Sequence, residues 1–273
     1  MITLLWSLSL IGLAMLAAVP LLRAVHLDIE QLQRSFTSDG KFDPVTLHAL
    51  GALPAGLLAA GAALVLLAAL LFLLRRSGWL EQSRTGIYVA AVLGVQALLA
   101  GLYLAGFHFE TFDDFSWYHN QAQNILAGRS VITNEGAPTA HWPAGFPFFL
   151  SAVYAVTGAH LAVARGLNIV LITAITLLTW LLARRLWDAP RARTAGLLIA
   201  VLPSQIFWCS LPTADMFFTL LCLALLYVAS GPLTWKHALL AGLLYGCATF
   251  TRPVLFFFPP VLALYWLLRR EPW

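Results

Sequence analysis

Charge is what this chain has least of. Only 10% of its 273 residues are Asp, Glu, Lys or Arg, 60% are hydrophobic, and the mean hydropathy is +0.82. A soluble domain of this size carries roughly a quarter charged residues, so the composition argues against a water-soluble globule. Short alternating apolar segments, the mark of a membrane barrel, do not dominate either. The fold class that remains is all-α: a polytopic transmembrane helical bundle. Cysteine is scarce too. Cys209, Cys222 and Cys247 lie scattered in apolar segments, without the spacing of a zinc site or a disulfide framework, and read as buried small hydrophobes. The formal net charge of +4 is no nucleic-acid footprint, because the cations sit in short loops between apolar runs. A basic leader is missing ahead of the apolar segment 1–22, which therefore reads as an uncleaved first span.

The apolar runs predict spans at about 2–22, 47–74, 86–106, 161–183, 195–211, 213–229, 237–251 and 253–268. The last four are short against the ~20 residues of a perpendicular crossing, so they tilt, thin the bilayer or sit partly re-entrant. Residues 143–158 read as a half-inserted helix, with Pro143 and Pro147 in its first turns, where a missing amide matters little. A polar outer loop, 23–46, carries a short helix around 29–36. The chain divides into 1–85, a two-span extension with its outer loop, and 86–273, the main membrane module.

Arginine placement sets the orientation. Arg75, Arg76 and Arg84 share one loop, Arg184, Arg185, Arg191 and Arg193 another, and Lys236, Arg269 and Arg270 mark two more. With these inside, Arg23, Arg34, Lys41 and Arg129 fall in two large outer loops that hold more acids than bases. Asp113, Asp114, the turn 212–215 and Arg252 then all lie on the outer side.

Acids number only 12, and two stand side by side at Asp113-Asp114. Phe115, Tyr118, Ala122 and Ile125 follow at helical spacing, which predicts a short interfacial helix stopped at Gly128. Two readings of the doublet stand. Either it only caps this helix, or one carboxylate caps while its neighbour faces a substrate, its pKa raised toward that of a useful base. His119 and His141 belong to a group that also includes His108 and His160, four of the 7 histidines. Interfacial anchoring competes with a binding role for them and for Trp117 and Trp142, which suit stacking on a sugar ring. A divalent metal on the doublet has no paired-histidine spacing behind it. Arg165 and Arg252 either snorkel to headgroups or meet a phosphate with a bidentate fork. Asp215, the single acid between 195 and 229, either stabilises its helix start or serves the site.

In this order the motifs resemble the GT-C membrane glycosyltransferases, and most nearly the superfamily of protein O-mannosyltransferases and aminoarabinose transferases (glycosyltransferase family 39-like). The resemblance rests on Asp113-Asp114 followed by Tyr118, Ala122 and Gly128, then on the segment from His141-Trp142-Pro143 through Gly158. Ala164-Arg165, the pair Arg184-Arg185, the stretch from Pro203 to Asp215, and Gly242 through Thr251-Arg252-Pro253 continue it. It covers roughly 86–268. It implies inverting transfer of a sugar from a polyprenyl-phosphate donor to a lipid, polysaccharide or protein acceptor at the outer face of the cell (inner, cytoplasmic) membrane. Asp113 or Asp114 would be the base, Arg165 and Arg252 would sit near the phosphate, and Asp215 would orient donor or acceptor; Tyr118, His119 and His141 would line the substrate site. The resemblance names no definite cofactor, and either cationic groups or a divalent metal would offset the charge growing on the departing phosphate. Two extra spans precede the family's usual first helix, and the chain ends after about six family-like spans. It therefore reads as a fragment or as a compact module that borrows its acceptor site from a membrane-protein partner. Two other functions fit a polytopic chain: a transporter or flippase, which would need midplane polar groups and internal repeats, and a non-catalytic subunit of a glycan-assembly complex.

Overall fold

In the computed structural model the described residues are 2–24, 62, 65–106, 113–129, 131–132, 136–137, 142–232 and 234–268. The chain divides into two compact units, Met1–Gln82 and Ser83–Trp273. Among the described residues every regular element is helical. The first unit holds α1 (Ile2–Ala24), α2 (residues 65–76) and α3 (Trp79–Gln82). α1 coincides with the first expected span. Most of the expected span 47–74, and the outer-loop helix around 29–36, lie outside the described residues.

The second unit runs α4 (Thr85–Gly106), α5 (Asp113–Leu126), α6 (Gly145–Thr157), α7 (Leu161–Leu186), α8 (Ala189–Ala200), α9 (Pro203–Trp208), α10 (Ala214–Ala229), α11 (Trp235–Thr251), a 3-10 turn (Pro253–Phe257) and α12 (Pro259–Leu268). α4 has 22 residues and α7 has 26, and both are apolar enough to cross a membrane. At ~1.5 Å per residue they reach about 33 and 39 Å, against a hydrocarbon core of ~30 Å. α4 buries Tyr88, Val92, Gln96 and Ala100, one face at steps of four, and leaves Leu98 and Leu102 exposed on another. Tyr88 donates to the Arg193 carbonyl at 2.7 Å, and its ring centroid lies 5.9 Å from that of Trp180. Against lipid, helices gain little from hydrophobicity alone, so contacts like these carry the association.

Two expected spans are corrected. Instead of one helix over 195–211 the chain forms α8 and α9, interrupted at Val201-Leu202. Pro203 lacks the amide that would continue the ladder, and Leu202 before it is extended, with φ −66 and ψ 118. α8 begins early because Asp188 caps it, accepting from the Arg191 amide at 3.0 Å. Arg191 and Arg193 therefore belong to a helix, not to a loop. The stretch 253–268 likewise divides into the 3-10 turn and α12, with Pro259 opening the second piece. The helix expected within 143–158 is there as α6. The cysteines are all free, and Cys209 is buried as expected, but Cys222 is half-buried and Cys247 exposed on α11.

Candidate functional site

The interfacial helix forms as α5, but it starts two residues earlier than its apolar stripe suggests. Asp113 is its first residue, so the acids stand inside the first turn, not ahead of it as caps. There the helix dipole and free amides favour an anion. The Asp113 side chain and all of His141 lie outside the described residues. At the other end Gly128, with φ +73, lets the Arg129 amide reach back to the Asn124 carbonyl at 2.9 Å. That left-handed turn ends the helix where the sequence placed its stop.

Asp114 lies one helical turn before Tyr118, on the same face. Tyr118 is 5% exposed and packs edge-on to Trp117 and Phe146, with centroid distances of 5.4 and 5.5 Å. It belongs to a core shared by four helices, with Ala122 of α5, Phe146, Leu150 and Tyr154 of α6, Ala164 of α7 and Ala214 of α10. Phe149 and Phe217 close this core by stacking at 4.0 Å, with their planes 4° apart. Burial pushes the Tyr118 hydroxyl above the ordinary phenol range. Arg252 pulls it down, and Asp114 and Asp215 push it up. One buried phenol thus senses three charged groups that are far apart in sequence.

Two of those charges form a pair. Arg252 Nη2 lies 2.8 Å from Asp215 Oδ1, with the side chains 41% and 38% exposed. The other carboxylate oxygen, Oδ2, accepts from the Thr213 hydroxyl at 2.7 Å, and that hydroxyl accepts in turn from the Asp215 amide at 3.2 Å. Thr213 is the cap of α10, so one side chain both starts the helix and fixes the acid's rotamer. Among the described residues no three His, Cys, Asp or Glu side chains gather to hold a metal ion.

The turn leading into Thr213 is secured from α7. Arg165 Nε donates to the Ser210 carbonyl at 2.9 Å. Asn168, fully buried one turn later, donates Nδ2 to the Leu211 carbonyl at 2.7 Å and the Cys209 carbonyl at 3.3 Å. Carbonyls just past α9 have no partner within that helix, and these two side chains supply one. Arg165 therefore holds the Asp215 turn. Asn168 escaped the sequence reading, although its spacing of three from Arg165 puts both on one face.

His119 is turned inward. Its Nδ1 lies 2.6 Å from the Tyr154 hydroxyl, which ties α5 to α6, and its Nε2 lies 3.2 Å from Gln123 Nε2 within α5. Burial lowers its pKa below the ordinary 6.5. Gln121 was missed as well: it donates to the Ile132 carbonyl at 2.6 Å and accepts from the Ile132 amide at 3.1 Å, pinning the loop that follows α5. Gly145 opens α6 against the end of α11, where a β-carbon would lie 2.7 Å from the amide nitrogen and hydroxyl of Thr251. Only glycine lets the two chains approach so closely beside Arg252.

Comparison with known proteins bears on this part of the chain. No curated protein matches it, and no solved structure does. The family model described as dolichyl-phosphate-mannose-protein mannosyltransferase matches residues 141–273, a stretch that holds Arg165, Arg184-Arg185, Asp215 and Arg252, while the acid doublet precedes it. Residues 141–273 thus carry the pattern of a GT-C-class family of membrane glycosyltransferases, mannosyltransferase-like, and the resemblance drawn from the ordered motifs holds there.

Proposed function

We propose that this protein transfers a sugar from a polyprenyl-phosphate donor to an acceptor at the outer face of the cell membrane, with inversion. The observation that supports this reading is the Arg252–Asp215 pair at the start of α10, whose Ala214 packs in one core with Tyr118, itself one turn beyond Asp114. In the reaction an acceptor hydroxyl oxygen attacks the anomeric carbon as the bond to the phosphate oxygen breaks. The polyprenyl phosphate leaves with the electron pair, and a carboxylate of the doublet takes the hydroxyl proton. A phosphate leaves readily as an anion, so the site needs a cation at the departing oxygens more than it needs an acid. Arg252 has the planar fork for that task, aimed by Asp215, and Thr213 aims Asp215. Arg165 and Asn168 hold the turn that carries them. Trp117 and Trp142 offer faces for stacking on the sugar.

The arginine distribution in the sequence supports an outer position for this cluster. The shorter helices α10 and α11 complete the multi-pass bundle by crossing with tilt or local thinning. The test supplies purified protein with several polyprenyl-phosphate sugars and follows released polyprenyl phosphate. Asp114→Asn and Asp113→Asn proteins that insert and melt like the parent should differ from it in turnover, one of them falling at least about a hundredfold, the usual worth of a general base. Full turnover in both variants would remove the doublet from the mechanism.

A further inference from the structure

α7 and α10 each have a second end, far from the Asp215–Arg252 pair. The 20 residues from Arg165 to Arg185 span about 30 Å of helix. At that far end α7, α10 and α12 enclose an open groove of about 300 Å³, walled by Leu182, Leu186, Leu226, Phe258 and Val261. Trp266 donates Nε1 to the Ala229 carbonyl at 3.2 Å, which fixes the α12 wall to the end of α10. Ser230, which also lines the groove, accepts from Arg185 Nη1 at 3.0 Å. The same Nη1 donates to the Tyr227 carbonyl, and the guanidinium lies 3.5 Å over the Tyr227 ring. Arg185 is thus an exposed arginine whose position is set, with its Nη2 and Nε hydrogens not used by these contacts. Arg184 beside it is exposed as well, over the Trp180 ring at 5.0 Å. Among the described residues no carboxylate lies within ion-pair distance of either arginine.

We propose that this groove binds an anionic phospholipid of the membrane, an acyl chain lying along the leucine wall and the phosphate resting on Arg185. The charge chooses the occupant. A zwitterionic lipid brings its own cation to the arginine pair, a free anion leaves the apolar groove unused, and a neutral protein helix leaves two cations uncompensated. A stacked guanidinium with a free edge suits a phosphate, and an open apolar groove of about 300 Å³ suits a stretch of one hydrocarbon chain. The site rests on the membrane reading of the chain and is independent of the transferase reading.

Thermal unfolding of the full chain in an uncharged detergent tests it, with titration of phosphatidylglycerol, phosphatidylcholine, polyprenyl phosphate or inorganic phosphate. Phosphatidylglycerol should raise the unfolding midpoint saturably at a few mole per cent, and phosphatidylcholine and inorganic phosphate should not. Arg185→Gln should weaken the effect at least tenfold. Leu226→Trp, which fills the groove and leaves the charge in place, should weaken it too, while Arg191→Gln should leave it unchanged. An equal shift with phosphatidylcholine or inorganic phosphate, a preference for polyprenyl phosphate, or an unaltered Arg185→Gln response would each overturn the proposal. So would a dimer in light scattering that Leu226→Trp dissociates, because the groove would then belong to a second copy. Transfer assays on Asp114→Asn report separately on the catalytic reading, so the two can fail independently.

Discussion

Replacing Gly145 by alanine adds one methyl group where α6 meets the end of α11. The new carbon would lie 2.7 Å from the Thr251 amide nitrogen, 2.7 Å from its hydroxyl and 2.8 Å from the Phe250 carbonyl carbon, whereas ordinary contact begins at 3.4 Å. The shortfall, 3.4 − 2.7 = 0.7 Å, cannot be absorbed by a flexible side-chain end. Two of the three atoms are backbone, and the Thr251 hydroxyl is itself tied to the Cys247 carbonyl at 2.8 Å. Overpacking of this kind costs about 1–3 kcal/mol. At roughly 2–4 °C per kcal/mol for a chain of this order of length, the unfolding midpoint should fall by about 2–12 °C. Arg252 is the next residue after Thr251, and its pairing with Asp215 is drawn at 2.8 Å. Misplacing a substrate-positioning group by about 1 Å costs up to ~100-fold in rate, so turnover at the folded temperature should fall at least about tenfold. Gly242→Ala and Gly246→Ala are the controls. An added carbon there meets nothing within 4 Å, and both positions are interior to α11. They should be neutral or gain about 0.5–1 kcal/mol of helix propensity. Differential scanning fluorimetry in detergent and release of polyprenyl phosphate read both effects. A Gly145→Ala protein that melts and turns over like the parent refutes the close approach, and with it the placement of Arg252.

Asp215→Asn and Arg252→Gln should be strongly non-additive in rate, with the double variant about as slow as Arg252→Gln alone, if the acid acts only by aiming the arginine. Their effect on stability should be small, within about 1 kcal/mol, because the pair is more than a third exposed. His119 makes stability depend on pH: burial lowers its pKa in the folded state below 6.5, so the unfolded chain binds more protons in the interval between the two values. Its contribution is complete above about pH 6.5 and is lost as pH falls below, a slope in the unfolding midpoint that His119→Gln should flatten. Arg193 is buried at 6% exposure and gives Nη2 to the Ser83 carbonyl at 2.8 Å and Nη1 to the Ser83 hydroxyl at 3.2 Å. Arg193→Ala should therefore lower stability by about 2–3 kcal/mol, the usual cost of losing charge-assisted hydrogen bonds, while leaving the KM for donor unchanged.

Composition and periodicity were enough to read the class of this fold, because long apolar runs report directly on length. α4 and α7 are the clearest cases, and α6 was legible from two prolines that suit a first turn. Breaks were harder to see. Pro203 ends α8 only together with an extended Leu202, and hydropathy averaged over 195–211 conceals a single missing amide. The start of α5 was misplaced because the stripe of Phe115, Tyr118, Ala122 and Ile125 marks the buried face alone, and the polar first turn lies before it. Charges at the site were easy to nominate, since an ionisable group is costly beside a membrane and so stands out. Their partners were not. Thr213, Asn168, Gln121 and Gln123 are ordinary residues in the sequence, and what they do depends on carbonyls and carboxylates that only the folded chain brings near. Spacing does not reveal that Arg165 would bind a backbone carbonyl in the Asp215 turn.

In the proposed mechanism the two acids described at the site divide the labour between them. Asp215 has one oxygen on a guanidinium and the other on a hydroxyl, and in the proposed mechanism its part is to hold Arg252 in place. A base with that constraint would loosen the phosphate clamp at the moment the phosphate departs. Asp114 stands on a different helix, α5, one turn from Tyr118. Proton removal and leaving-group stabilisation concern different oxygens of the reacting pair, on opposite sides of the anomeric carbon in an inverting displacement. In the proposed mechanism α5 carries the first task and α10 with α11 the second.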